Sequence, residues 1–191
     1  MKMIRLVILA LVCAGVGAVA GFKYALVSEH SRLERNKTLV RQSHEVWSDK
    51  NNDTAYAIAR QIYSKDFVVH NPAGESTGFE EFFSELRDNR ADFPDWSEQV
   101  KSIVAEGDLV AVRFASSGTQ GRDLTATPHY SPSIPNKGHL VRLHEMELFR
   151  ISNDKLAEQW DLWDGWELYG QLGLFDSDHW PEFVCTSAEK R

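Results

Sequence analysis

Residues 158–167 read EQWDLWDGWE, four carboxylates (Glu158, Asp161, Asp164, Glu167) interleaved with three indoles (Trp160, Trp163, Trp166). Aromatic rings gain by leaving water, whereas ionised carboxylates lose by it. A carboxylate held against indole walls and close to a second acid is pushed toward neutrality by desolvation and like charge. Such a group trades protons near neutral pH, which is what a general acid/base must do. Metal chemistry has no comparable signal. His129, His139 and His144 lack ligand spacing with any acid pair, and a metal-free, cofactor-free site is expected. Which of the four acids is buried depends on the elements that carry them.

Those elements fall into two halves. Ser31 and Glu34 form a capping box ahead of a helical stripe of Leu39, Val40, Ser43, Val46 and Trp47. Asp53 caps a second helix with the stripe Ala55, Ile58, Ala59, Ile62. Asp66 to His70 (DFVVH) is a β-branched strand stopped by Asn71-Pro72-Ala73-Gly74. Thr77 and Glu80 make another capping box, for a helix carrying Phe79, Phe82, Phe83 and Leu86 that ends near Phe93-Pro94. Four strands follow, Trp96–Ala105, Leu109–Ser117, His139–Ile151 and Lys155–Trp163, the first two joined by a Glu106-Gly107-Asp108 turn. Residues 118–138 are rich in Gly, Pro, Ser and Thr and read as a lid or flap. A short helix follows Asp164, and residues 175–191 form a polar tail. Helices followed by a strand meander specify an α+β domain. A curved antiparallel sheet around three N-terminal helices makes a conical barrel with one pocket.

The 191 residues suffice for one domain with a core, spanning residues 31–174. A net charge of −7 argues against nucleic acid as a partner, because phosphate binding needs a basic face. Residues 1–20 place Lys2 and Arg5 before an apolar run ending in Ala18-Val19-Ala20, a small-x-small site. This reads as a cleaved signal peptide or, alternatively, as an uncleaved signal anchor. Either places the domain outside the cytoplasm, periplasmic or secreted in the first case and held to the membrane only through the leader in the second. Of the two cysteines, Cys13 is in the leader and Cys185 in the tail, so no intrachain disulfide or cysteine metal site forms in the mature domain. Asn36-Lys37-Thr38 and Asn52-Asp53-Thr54 match glycosylation acceptors.

The segments NKTLVRQSHEVWSDKNNDTA, DFVVHNPAGESTGFEEF, VAEGDLVAVRFASSGTQG, ELFRISNDKLAEQWDLWD and QLG occur in this order. Together, over residues 36–174, the chain resembles the SnoaL-like polyketide and ester cyclases, of the nuclear-transport-factor-like cone fold. In that family an aspartate on the last strand is the general acid/base of an intramolecular aldol ring closure, with neither metal nor organic cofactor. The resemblance implies that role for Asp161, which follows Trp160 in Glu158-Gln159-Trp160-Asp161. The family often has a histidine fourteen residues upstream, where this chain has Glu147. It also commonly has a polar residue at the cavity mouth, the place of His70. His70 or Asn71 would then steady an enolate oxygen; the alternative for His70 is a solvent-facing strand end. A homodimer through the outer face of the sheet is a further implication.

Two registers join the last two strands. A two-residue turn at Asn153-Asp154 puts Asp161 on a face with His144, Met146 and Leu148. A three-residue loop, Ser152 to Asp154, puts it with Glu145, Glu147 and Phe149, because one residue of slip exchanges the faces of a strand. The family has Gly where Asp154 stands, and Asp tolerates the left-handed region, so the longer loop is expected. The cavity would then be lined by Glu145, Glu147, Gln159, Asp161 and Trp163, with Trp47 and Tyr63 as helix-borne walls; the alternative for the last two is core packing. Asp164 and Glu167 would be solvated. Arg113 faces either the cavity, where it could pair with an acid, or the outside. The functional expectation is a hydrophobic carbonyl-bearing ligand and acid–base catalysis by Asp161, with Glu147 and His70 as further catalytic candidates. The alternatives are a non-catalytic binding or interaction domain on the same fold and, last, an epoxide hydrolase needing an Arg between two Asp.

Overall fold

A computed structural model describes residues 27–71, 74–125 and 133–174, the side chains of residues 71 and 74–77 excepted. The leader, Cys185 and the tail lie outside the described residues. No helix among the described residues is long and apolar enough to cross a membrane.

Helix α1 covers residues 27–48 without a break. Ser31 is therefore an interior residue, its Oγ donating to the Val27 carbonyl one turn back (2.9 Å) rather than capping a start. The buried stripe of α1 is Asn36, Val40, Ser43, His44 and Val46. Burial of Asn36 (4 % exposed), whose Nδ2 donates to the Gly107 carbonyl, leaves no room for a glycan there. Helix α2 (Asn52–Ile62) is capped by Asn51, whose side chain accepts from the Asp53 and Thr54 amides. Asp53, the expected cap, lies instead in the first turn, where a negative charge suits the helix dipole. Helix α3 (Phe79–Asp92) starts at Gly78 (φ 89°) with no side-chain cap. The cap is Gly78 and not Thr77, and Glu80 Oε1 accepts from Tyr56 Oη (2.8 Å) and Arg60 Nη2 (2.6 Å).

Strands β1 (Tyr63–Asn71), β2 (Gly74–Thr77), β3 (Ser97–Glu106), β4 (Leu109–Thr119), β5 (Leu140–Ser152) and β6 (Lys155–Leu162) form one open sheet in the order β2-β1-β6-β5-β4-β3. Neighbours are antiparallel except β1 and β6, which run parallel, so the sheet is mixed. Helices α1–α3 cover one face of it. Val40, Ala59, Phe67, Phe82, Leu86, Val110, Val112, Phe149 and Leu156 meet in the main core. A second cluster, including Phe93, Trp96, Val141, Leu143, Leu168 and Leu172, continues it toward helix α4 (Gly165–Gln171). The described ends of segment 118–138 are tied down, not loose. Leu124 and Ile134 exchange backbone hydrogen bonds and are buried (0 % and 2 % exposed), and Gln120 Oε1 accepts from the Lys137 amide (3.1 Å).

The β5–β6 hairpin corrects the expected loop but not the expected face. Ser152 pairs with Lys155 across a two-residue turn, with Asn153 and Asp154 both left-handed (φ 52° and 54°). This is the turn that matches strand twist. Further along, Ile151 pairs with Leu156 but Arg150 pairs with Glu158, so Ala157 is an extra, bulged residue. The bulge restores the parity that the short turn would have lost, and Asp161 lies directly opposite Glu147. Asp154 carries the strain of a left-handed side-chain-bearing residue. Asp154→Gly is therefore expected to raise stability by about 1 kcal/mol, read as a higher urea midpoint at unchanged slope.

Candidate active site

Alternation along β5 sends Val141, Leu143, Glu145, Glu147, Phe149 and Ile151 inward, so two glutamates interrupt an otherwise apolar stripe. On β6, Gln159 and Asp161 face the same side, beside a cavity of about 410 Å³ that lies between the sheet and α3. Indole and phenyl walls (Trp47, Phe82, Phe93, Trp96, Phe114, Trp163) surround the acids. Glu85, Asp88, Asp92 and Arg122 lie on the α3 side of the lining.

Burial, reinforced by the charge of Glu98, pushes the Asp161 carboxyl up to about 7, against a smaller downward pull from the Leu162 amide. Its Oδ1 has no hydrogen-bond partner. Glu147 is held well above the ordinary carboxylate range by burial first, then by the charges of Asp161, Glu98 and Glu145. Gln159 Nε2 donates to Glu147 Oε1 (2.9 Å), while Glu147 Oε2 is unpartnered. Glu145 is likewise raised, by burial and then by Asp161, although Ser116 Oγ donates to it. The three acids therefore favour their protonated forms far more than surface carboxylates do.

Two neighbours went unread in the sequence. His44, 3 % exposed on α1, hydrogen-bonds Glu98 Oε2 through Nδ1 (2.7 Å) and places Nε2 3.5 Å from Glu147 Oε2 without a hydrogen bond between them. Glu98 on β3 also accepts from Trp96 Nε1 (3.0 Å). The signal for His44 was its place four residues after Val40 and three before Trp47, on the buried stripe. Glu98 gave no signal, because the edge strand β3 is polar and only half buried.

Of the residues expected at the site, Asp161, Glu147, Glu145, Gln159, Trp47 and Trp163 line the cavity. His70 does not. Val69 pairs with Gln159 on the inner face, so the next residue points outward, where His70 Nε2 meets Glu158 Oε1 (2.9 Å) and its ring stacks on Trp160. Tyr63 is no helix-borne wall. It opens β1 and is buried at 2 % exposure between Phe67 and Phe82, in the core. The side chain of Asn71 lies outside the described residues. Arg113 is exposed on the outer face, so it does not pair with Asp161 in the cavity.

The acids of EQWDLWDGWE thus have four different situations. Glu158 faces outward and pairs with Arg150, and Asp161 faces the cavity. Asp164 is exposed, as expected, and also caps α4 by accepting from the Trp166 and Glu167 amides. Glu167 is partly buried, which raises its carboxyl. Among the described residues no group of three or more His, Cys, Asp or Glu is arranged to hold a metal ion.

A sequence model of the SnoaL-like polyketide cyclase family matches residues 37–172. No curated protein matches significantly. Among solved structures, AclR from Streptomyces galilaeus, provisionally assigned as a hydroxylase, is 24 % identical with a TM-score of 0.61, over 75 % of this chain and 99 % of that one. IdmH from Streptomyces antibioticus, provisionally assigned as a polyketide cyclase, is 24 % identical with a TM-score of 0.58, over 72 % and 98 %. A protein from Jannaschia sp. CCS1, provisionally assigned as a SnoaL-like polyketide cyclase, is 16 % identical with a TM-score of 0.65, over 75 % and 95 %. These likenesses establish the cone fold.

Proposed function

The chain belongs to the SnoaL-like polyketide cyclase family, and from that premise we propose that its cavity binds a hydrophobic carbonyl-bearing small molecule and catalyses proton transfer at carbon. The reaction is an aldol-type ring closure or an isomerisation, with Asp161 as acid and base. The observation that carries this reading is a single carboxyl, Asp161, buried among tryptophans with one oxygen unpartnered and an affinity for protons centred near neutrality.

At pH 7 a group titrating at about 7 is present in both forms. Its carboxylate takes a proton α to the substrate carbonyl, and the electron pair moves into the enolate. The enolate oxygen needs a hydrogen-bond donor in a dry site. Glu147 or Glu145, kept protonated by burial, supplies one, in place of His70. In a ring closure the enolate carbon bonds to a second carbonyl carbon, whose oxygen takes the proton back from Asp161. In an isomerisation the proton returns to a different carbon. Trp47, Trp96 and Trp163 exclude the water that would quench the intermediate.

A placement outside the cytoplasm belongs to the same proposal and is supported by the basic-then-apolar leader of residues 1–20. So does a homodimer through the outer face, supported by the exposed cross-strand pair Met146 and Leu162 (54 % and 67 % exposed). The test is deuterium incorporation at the α-carbon of a cyclic aryl ketone such as tetralone, followed by proton NMR in heavy water. Enzyme-dependent exchange is expected. Saturable binding of the ketone without accelerated exchange would leave a binding domain and no catalyst.

A further inference from the structure

The cavity holds more acid than proton transfer at one carbon requires. Glu98, Glu145, Glu147 and Asp161 line its sheet side, and Glu85, Asp88 and Asp92 its α3 side. Against these seven carboxyls the lining has, among the described residues, one cationic side chain, Arg122, whose Nε lies 2.6 Å from Asp92 and whose Nη2 lies 3.9 Å from Asp88. Other titratable groups lie against the floor: His44 sits behind Glu147 with Nδ1 taken by Glu98, the buried Tyr63 hydroxyl feels the charges of Glu147 and Glu98, and Glu167 acts on Glu145. Among the described residues, the buried polar atoms of the lining that lack hydrogen-bond partners are three oxygens on the sheet side, Glu147 Oε2, Gln159 Oε1 and Asp161 Oδ1, and one amide nitrogen on α3, Asn89 Nδ2. Gln159 is 3 % exposed and Glu147 8 %, so neither oxygen is satisfied by bulk water.

We infer that the ligand of this cavity carries a protonated amine on its apolar ring body, and that anionic ligands are rejected. The inference rests on the proposed acid–base site for its location and names that site's ligand class. Three physical arguments support it. An ammonium offers three donors to the open oxygens of Glu147, Gln159 and Asp161, whereas a carbonyl can use only the proton that a protonated carboxyl donates. An ammonium beside indole faces gains from the ring quadrupoles as well as from the carboxylates. An enolate forming among carboxyls also lacks a fixed protein cation to offset it, since Arg122 is held by Asp92, and the substrate's own ammonium supplies that charge. A ligand carboxylate would instead meet like charge in a poorly screened site. One floor carboxyl ionises against the ammonium while its neighbour stays protonated as a donor, so binding releases a proton.

The test uses three indoles of matched shape, tryptamine, tryptophol and indolepropionate, titrated calorimetrically into the full-length protein at neutral pH. Tryptamine is expected to bind at least about tenfold more tightly than tryptophol. Indolepropionate is expected to be weakest, and the tryptamine heat to vary with the buffer's ionisation enthalpy. In the double variant Glu147→Gln/Asp161→Asn the preference for tryptamine is expected to vanish. The wild-type ranking is decisive without any variant. Tryptophol or indolepropionate binding as tightly as tryptamine, or no tryptamine binding at millimolar concentration, overturns the inference. Tetralone exchange reports separately on the reaction. Its absence with the amine ranking intact removes the catalysis and leaves the ligand class, and the converse result removes the ligand class alone.

Discussion

Asp161→Asn is expected to cut α-carbon exchange by at least about a hundredfold, the lower range for removing a positioned general base, while the folded protein gains stability. The two effects have one origin. The cavity raises the proton affinity of Asp161 by withholding water and by facing it with Glu98, and neither influence acts on a neutral amide. Asn keeps the size and one acceptor oxygen, so ketone binding measured by calorimetry is expected to change little. Loss of exchange with binding retained assigns proton transfer to this side chain. Retained exchange would move the base elsewhere, with Glu147 the next group to replace.

The second large effect is on stability as a function of pH. Glu145, Glu147 and Asp161 all bind protons more tightly in the folded chain than in the unfolded one. Above the ordinary carboxylate range, near about pH 4, the unfolded chain has released these protons and the folded chain still holds them. The folded state then binds more protons, and stability falls as pH rises. For Asp161 the fall runs from about pH 4 to about 7 and then levels, whereas the two glutamates extend it to higher pH. Thermal midpoints are therefore expected to be highest on the mildly acidic side and to decline through pH 8. The Glu147→Gln/Asp161→Asn double variant should show a flatter profile and, at pH 8, a midpoint higher by on the order of 5 °C. A wild-type midpoint that climbs from pH 5 to 8 would contradict the protonation states assigned to the cavity. The exposed acids with lowered proton affinity, such as Glu29 and Glu80, act in the opposite direction, but from solvated positions where ion pairs contribute little.

The sequence revealed the architecture where order is local. The stripe of α2, the apolar face of α3 and the period-two alternation of β4 and β5 need only neighbouring residues to be read, and all formed as their spacing indicates. The parallel partnership of β1 and β6 was not legible, because it joins residues about ninety positions apart and no local pattern encodes a neighbour's direction. That hidden pairing is why His70 was misplaced: with Val69 fixed inward opposite Gln159, His70 had to turn out. The α2 cap was read two residues late, at Asp53, because Asn51 lies just ahead of it and takes the cap. At the site, Glu145, Glu147 and Asp161 could be found because acids at inward positions of an apolar strand break its pattern. His44 could have been found from its helical phase. Glu98 became visible only once β3 was folded against α1.

Ala157 gives the hairpin a property akin to frameshift suppression. The two-residue turn and the extra residue each invert which side of β6 a given amino acid occupies, and together they cancel. A relative could therefore gain or lose a residue at the hairpin tip and recover its chemistry by a compensating change four positions away, with the intervening stretch exchanging inside for outside. In such lineages the durable landmark is the facing couple Glu147 and Asp161. The bend between their strands is free to drift.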